Sequence, residues 1–120
     1  MTASSKYHMS EAAIATEQEQ IKAAQSNARN FEPLYNAYYE RILNFVYLRV
    51  ESKDIAYDVT AQVFVTALEN IKRYISKGVP LSAWLFRIAI NELNRYVFSL
   101  PSERAFSKLS TRTSSNSGSV

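Results

Sequence analysis

The residues of this chain best equipped for chemistry are cations, aromatics and amides gathered in its second half. Lys72, Arg73 and Lys77 surround Tyr74, and Trp84 opens the segment that follows. Arg87, Asn91, Asn94 and Arg95 recur at intervals of three and four, which on a helix places them on a shared face. Cations neutralise phosphates, aromatic rings stack unpaired bases, and asparagine amides bond base edges, so this set suits single-stranded nucleic acid. Trp84 also suits core packing, and most of its ring is expected there.

Other chemistries find little support. General acid–base or nucleophilic catalysis needs positioned titratable groups, and the single histidine, His8, falls in the N-terminal stretch expected to be flexible. Asp54 and Asp58 are an i,i+4 carboxylate pair, but with no histidine or cysteine beside them they read as an acidic helix face rather than a metal site. There is no cysteine in the chain, hence neither disulfide nor thiolate ligand, and no glycine-rich phosphate loop. The sequence therefore predicts a non-enzyme without metal or cofactor.

The charge is uneven. Residues 1–60 carry six Lys/Arg against eight Asp/Glu, whereas residues 61–120 carry eight against three. Halves of opposite sign suit two different partners, the basic one a polyanion. No signal peptide opens the chain, and Arg41, Arg49 and Asp58 interrupt the most apolar stretch before it could span a bilayer, so the expected location is cytoplasmic.

The elements that must position these residues are helical, since two glycines and three prolines in 120 residues leave too few turns for an all-β fold. Residues 1–9 read as a flexible terminus, 10–98 as one helical domain, and 99–120 as a disordered tail in which eight of the last fourteen residues are serine or threonine. Ser10 is placed to cap a polar first helix running towards Ala28, and Asn30 to cap a second with Pro33 in its first turn. Phe31, Leu34, Tyr35, Tyr38, Ile42, Phe45 and Val46 form one apolar stripe on that second helix, which should reach about Val50. Ser52 caps a third, with Ile55, Val59, Val63, Ala67 and Ile71 inward and Asp58, Gln62, Thr66 and Glu69 outward. Ser76, Gly78 and Pro80 mark a loop over 75–80, and a fourth helix then buries Leu81, Trp84, Leu85, Ile88 and Ala89. The expected fold class is all-α, a compact bundle of about four helices with short connections.

Three blocks, FEPLYNAYYERILNFVYLRV at 31–50, IAYDVTAQVFVTALENIKRY at 55–74 and GVPLSAWLFRIAINELNRY at 78–96, follow one another in an order that resembles the second conserved region of extracytoplasmic-function (ECF) RNA polymerase sigma factors. The likeness covers residues 21–96, and its most specific part is Trp84, Leu85, Ile88, Ala89 and Asn91 downstream of an A-x-D-x-T-x-x-V-F block. The resemblance implies a module of transcription initiation. It implies that Asp58 and Gln62, with Arg49 on the preceding helix, meet the clamp coiled coil of the largest subunit of core RNA polymerase. It also implies that the loop and fourth helix capture the non-template strand of the minus-ten promoter element, with Lys72 and Arg73 on phosphates and Tyr74, Asn91 and Asn94 near bases; Trp84, Arg87 and Arg95 complete the DNA-binding set.

The chain departs from the family pattern in having Tyr57, Ala61 and Gln62 where glutamate, glutamine and glutamate are frequent, and Arg95 and Phe98 where an acid and a later arginine are common. The residues after Tyr96 are too few for a domain that binds the minus-thirty-five element, so the expected partners include a separate protein carrying that domain, or an anti-sigma factor. Two alternatives stand beside the sigma-like reading: a degenerate decoy that occupies polymerase, and a protein-interaction adaptor with no DNA role.

Overall fold

The computed structural model describes residues 9–101. The expected flexible N-terminus with His8, and all of the serine-rich tail beyond Pro101, lie outside them. Four helices follow one another: α1 Glu11–Ser26, α2 Glu32–Tyr47, α3 Lys53–Asn70 and α4 Ser82–Ser99, with 3-10 turns at Ala28–Phe31 and Ile71–Arg73. No strand occurs among the described residues. The fold is the all-α four-helix bundle that the periodicity predicts.

Helix starts follow local chemistry in two cases. Ser10 Oγ accepts from the Ala13 N–H at 3.1 Å, and Ser52 Oγ from the Ile55 N–H at 3.2 Å, each satisfying one of the orphan donors of a first turn. The second helix corrects the expectation. Asn30 is not its cap: Asn27 Oδ1 takes the Arg29 N–H at 3.0 Å to start the intervening 3-10 turn, and the Asn30 amide donates back to the Ala23 carbonyl at 3.1 Å. A full 3-10 turn thus separates α1 from α2. Pro33 still falls at the helix start, where its missing N–H costs no bond. α2 also ends at Tyr47, short of Val50, because the chain turns at Leu48–Arg49 to enter α3.

One core joins all four helices. Leu34, Ile42 and Val46 of α2, Val63 of α3, Ile71, and Leu81 and Leu85 at the start of α4 are fully buried, and burial of each such side chain contributes about 1.5–3 kcal/mol. α2, α3 and α4 pack on one another, while α1 closes over α2 and the 3-10 turn at Ile71–Arg73. The aromatic stripe on α2 divides in a way its spacing did not reveal. Phe31 and Tyr38 are buried, but Tyr35 is 38% exposed and stacks edge-on against Phe64 with ring centroids 4.9 Å apart. Phe45 is half-buried, set against Phe86 at 5.0 Å. On α3 the inward face also includes Ala56, Thr60 and Phe64, and Ile55 is only half-buried. No helix among the described residues is long and apolar enough to cross a membrane.

Candidate nucleic-acid interface

The site begins where α3 ends. The Asn70 amide donates to the Thr66 carbonyl at 2.8 Å, and its Oδ1 accepts from the Arg73 guanidinium, so the helix end also orients the first cation of the loop. Ile71, 1% exposed, anchors the 3-10 turn in the core and leaves Lys72 and Arg73 outside. The backbone turns extended at Tyr74 and reverses at Gly78, whose φ of 76° is a left-handed conformation that a side chain would strain although no atom lies within 4 Å of a Cβ there.

That reversal returns the chain so that Trp84, in the first turn of α4, meets Tyr74 with ring centroids 4.8 Å apart and planes inclined by 45°. Arg73, Tyr74, Lys77, Val79, Trp84 and Arg87 line one concavity of about 270 Å³ between loop and helix. Lys72 is exposed on the adjoining turn, outside its wall. Both rings are half-buried, packed on the core at one edge and open at the other, so Trp84 serves core and surface together. Burial raises the Tyr74 phenol above its ordinary value, the nearby Glu17 carboxylate adds to this, and Arg87 opposes it. The phenol is therefore a neutral hydrogen-bond donor at physiological pH.

The remaining expected DNA contacts are spread along α4. Arg87 lines the concavity, and Asn91 and Asn94 are exposed further along the helix, outside it. Arg95 is exposed too but turns towards α3: it pairs with Glu92 at 3.3 Å and shares a shallow groove with Asp58 and Gln62. Glu92 is 6% exposed and accepts from the Thr66 hydroxyl at 3.0 Å, and Thr66 accepts from the Gln62 amide at 3.4 Å. Asp58 and Gln62 thus face solvent together, next to Arg95 rather than remote from it. Arg49 is elsewhere. It lies just past α2, not on it, donates to the Phe45 carbonyl at 2.8 Å, covers the Phe45 ring at 3.7 Å, and lines a groove between α2 and α4.

Three polar residues that the sequence reading passed over hold this arrangement. Glu92 ties α4 to α3, and Gln25 and Glu17 reach from α1 to the loop. The Gln25 amide donates to the Ile71 carbonyl at 2.9 Å and the Tyr74 carbonyl at 2.8 Å. Glu17, 6% exposed, accepts the Leu81 N–H at 2.8 Å and the Tyr38 hydroxyl. The available signal was its register: Ile14, Glu17, Ile21 and Ala24 recur at three and four, which puts a carboxylate in the only apolar stripe of a polar helix. Among the described residues no cluster of His, Asp or Glu is suited to a metal ion.

The fold and this site define an all-helical module whose loop and fourth helix join cations to stacked aromatics beside a separate acidic and polar groove. The chain belongs to the Sigma-70 region 2 family, whose profile matches residues 34–100. It is 34% identical over 73 residues to the ECF RNA polymerase sigma factor BldN of Streptomyces coelicolor, a stretch comprising 61% of this chain and 27% of that protein. The chain thus corresponds to about a quarter of the length of that curated relative. No solved structure matches at a significant level. The family is one of non-enzymatic transcription regulators.

Proposed function

We propose that the chain binds core RNA polymerase and captures the unpaired non-template strand of a minus-ten promoter element. The observation that carries this reading is the convergence of Arg73, Lys77 and Arg87 with the Tyr74–Trp84 pair on one concavity, although they come from two segments of the chain. Phosphates of a single strand pass along the cations, with Lys72 extending the track, and a base stacks on the open edge of the aromatic pair. Asn91 and Asn94, exposed further along α4, read neighbouring base edges with their amides. Extruding a base from a duplex costs a few kcal/mol, and stacking of about 1–3 kcal/mol per base with edge contacts offsets it without nucleotide hydrolysis.

Asp58 and Gln62 form the polymerase contact, directed at the clamp coiled coil of the largest subunit. They are exposed, and their groove is distinct from the basic concavity, so polymerase and DNA are engaged at once. Arg95, paired with Glu92 beside them, stands at the border of the two surfaces.

Strand-specific photocrosslinking from position 74 or 84, on a pre-melted promoter in the presence of polymerase, tests the reading. Crosslinks to the non-template strand alone are expected. Polymerase capture with no crosslink to either strand would favour an adaptor or decoy.

A further inference from the structure

α1 lies outside the region that matches the family, which begins at Leu34, yet its side chains bond directly to the loop that carries the DNA-facing residues. Glu17 Oε1 accepts from Leu81 N–H at 2.8 Å across 64 residues of sequence, at the point where α4 begins. That helix has no capping side chain of its own, since Leu81 occupies the cap position. A carboxylate from another helix therefore takes the cap's role, satisfying an orphan donor and adding negative charge at the positive end of the α4 dipole. The other oxygen of Glu17 takes the Tyr38 hydroxyl, which fixes the carboxylate from the α2 side. Gln25 holds the opposite end of the loop through the Ile71 and Tyr74 carbonyls, and Gln18 donates to Ser76 Oγ at 3.1 Å in between.

We infer that α1 is a positioning element for nucleic-acid capture, in which Glu17 and Gln25 set the conformation of the 71–81 loop and so the spacing of Tyr74 from Trp84. The part concerning capture rests on the function proposed above. Residues 74–80 have no regular secondary structure, and backbone hydrogen bonds link them to the rest of the chain only at Tyr74 and Pro80. The α1 side chains are what holds both ends at once. A loop released at either end populates its capture-competent shape for a smaller fraction of the time, and apparent affinity falls by that fraction. The contacts at the concavity itself are unchanged, so the salt dependence of binding stays as it was.

Glu17→Ala and Gln25→Ala are compared with Glu17→Gln, which keeps a neutral acceptor oxygen for Leu81 N–H. Amide hydrogen exchange over residues 71–81, thermal melting, polymerase pull-down and the affinity for fluorescent oligodeoxythymidylate across a salt series are measured on the full chain. Both alanine variants are expected to exchange faster over 71–81 and to bind the oligonucleotide about tenfold more weakly, the scale of one lost bond to a charged or buried group. Their salt slope and polymerase capture should match wild type, and Glu17→Gln should recover most of the affinity. Folded alanine variants whose loop exchanges at the wild-type rate would overturn the inference, as would a loosened loop that binds with unchanged affinity. If the wild type itself ignores the oligonucleotide, the DNA reading fails, and exchange over 71–81 alone decides whether α1 holds the loop. Should Glu17→Ala not fold, Gln25→Ala and Glu17→Gln carry the same comparison.

Discussion

Replacing Lys72 and Arg73 together by alanine should change the salt dependence of single-strand binding by an amount that the geometry sets in advance. Arg73, Lys77 and Arg87 line the concavity, and Lys72 extends it, giving four cations within reach of a strand that stacks on Tyr74 and Trp84. Each phosphate neutralised on a single strand contributes a slope of about −0.7 to the logarithm of affinity against the logarithm of salt, so four give about −2.8. Removing two leaves about −1.4. Between about 50 and 200 mM salt, wild type should lose roughly 50-fold in affinity and the double variant roughly sevenfold. Arg73 is held by Asn70 on the surface, and neither side chain contributes to the core, so the fold should persist. Fluorescence anisotropy with a labelled single strand over a salt series, with circular dichroism as the fold control, makes the measurement. An unchanged slope would remove these two residues from the phosphate track. A slope that falls close to zero would mean that Lys72 and Arg73 carry all of the phosphate contacts and that Lys77 and Arg87 make none.

Three further outcomes are expected. Asp58→Lys, fully on the surface of α3, should weaken polymerase capture several-fold with no loss of helicity, because charge reversal there disturbs no buried contact; retention of full capture would reassign the polymerase face. Asn91→Ala with Asn94→Ala should remove about 1–3 kcal/mol of discrimination per base contact on a pre-melted promoter while leaving polymerase capture intact, as read from competition between matched and mismatched templates. Burial, followed by the Glu17 hydrogen bond and charge, raises the Tyr38 phenol above its ordinary value, so the folded state holds that proton more tightly than the unfolded state. Its stabilising contribution is complete below about pH 10 and is lost as pH rises from there through the raised folded value. Tyr38→Phe should therefore unfold with a shallower alkaline limb in a urea–pH series, though it starts about 1–3 kcal/mol less stable at neutral pH from the bond it gives up.

Much of the molecule was legible from residue types and spacing. Ser10 and Ser52 act as caps because a serine before an apolar-periodic run has a local backbone donor to satisfy, three residues ahead, whatever the rest of the chain does. The inward residues of α2 and α4 followed from three- and four-residue recurrence, since that spacing alone determines which side chains share a face of a helix. The order of the three blocks pointed to the family, and the basic, aromatic and amide residues of the loop and α4 stood out as candidates by their chemistry. Periodicity reports that a face is apolar, however, and not what covers it. Tyr35 belongs to the α2 stripe by spacing but sits at its margin, where only the course of α3 decides that Phe64 covers one edge and water the other. Arg87 and Arg95 share a helical face on paper; the tertiary structure turns the first to the Tyr74–Trp84 concavity and gives the second to Glu92 beside Asp58. Glu17 is the clearest case. In sequence its register with Ile14, Ile21 and Ala24 places it on the inward face of a polar helix, but nothing local says what would satisfy a carboxylate there. Its burial is stable only because the Leu81 N–H and the Tyr38 hydroxyl, 64 and 21 residues away, arrive at its two oxygens, and a buried carboxylate can be satisfied only by donors that folding brings to it.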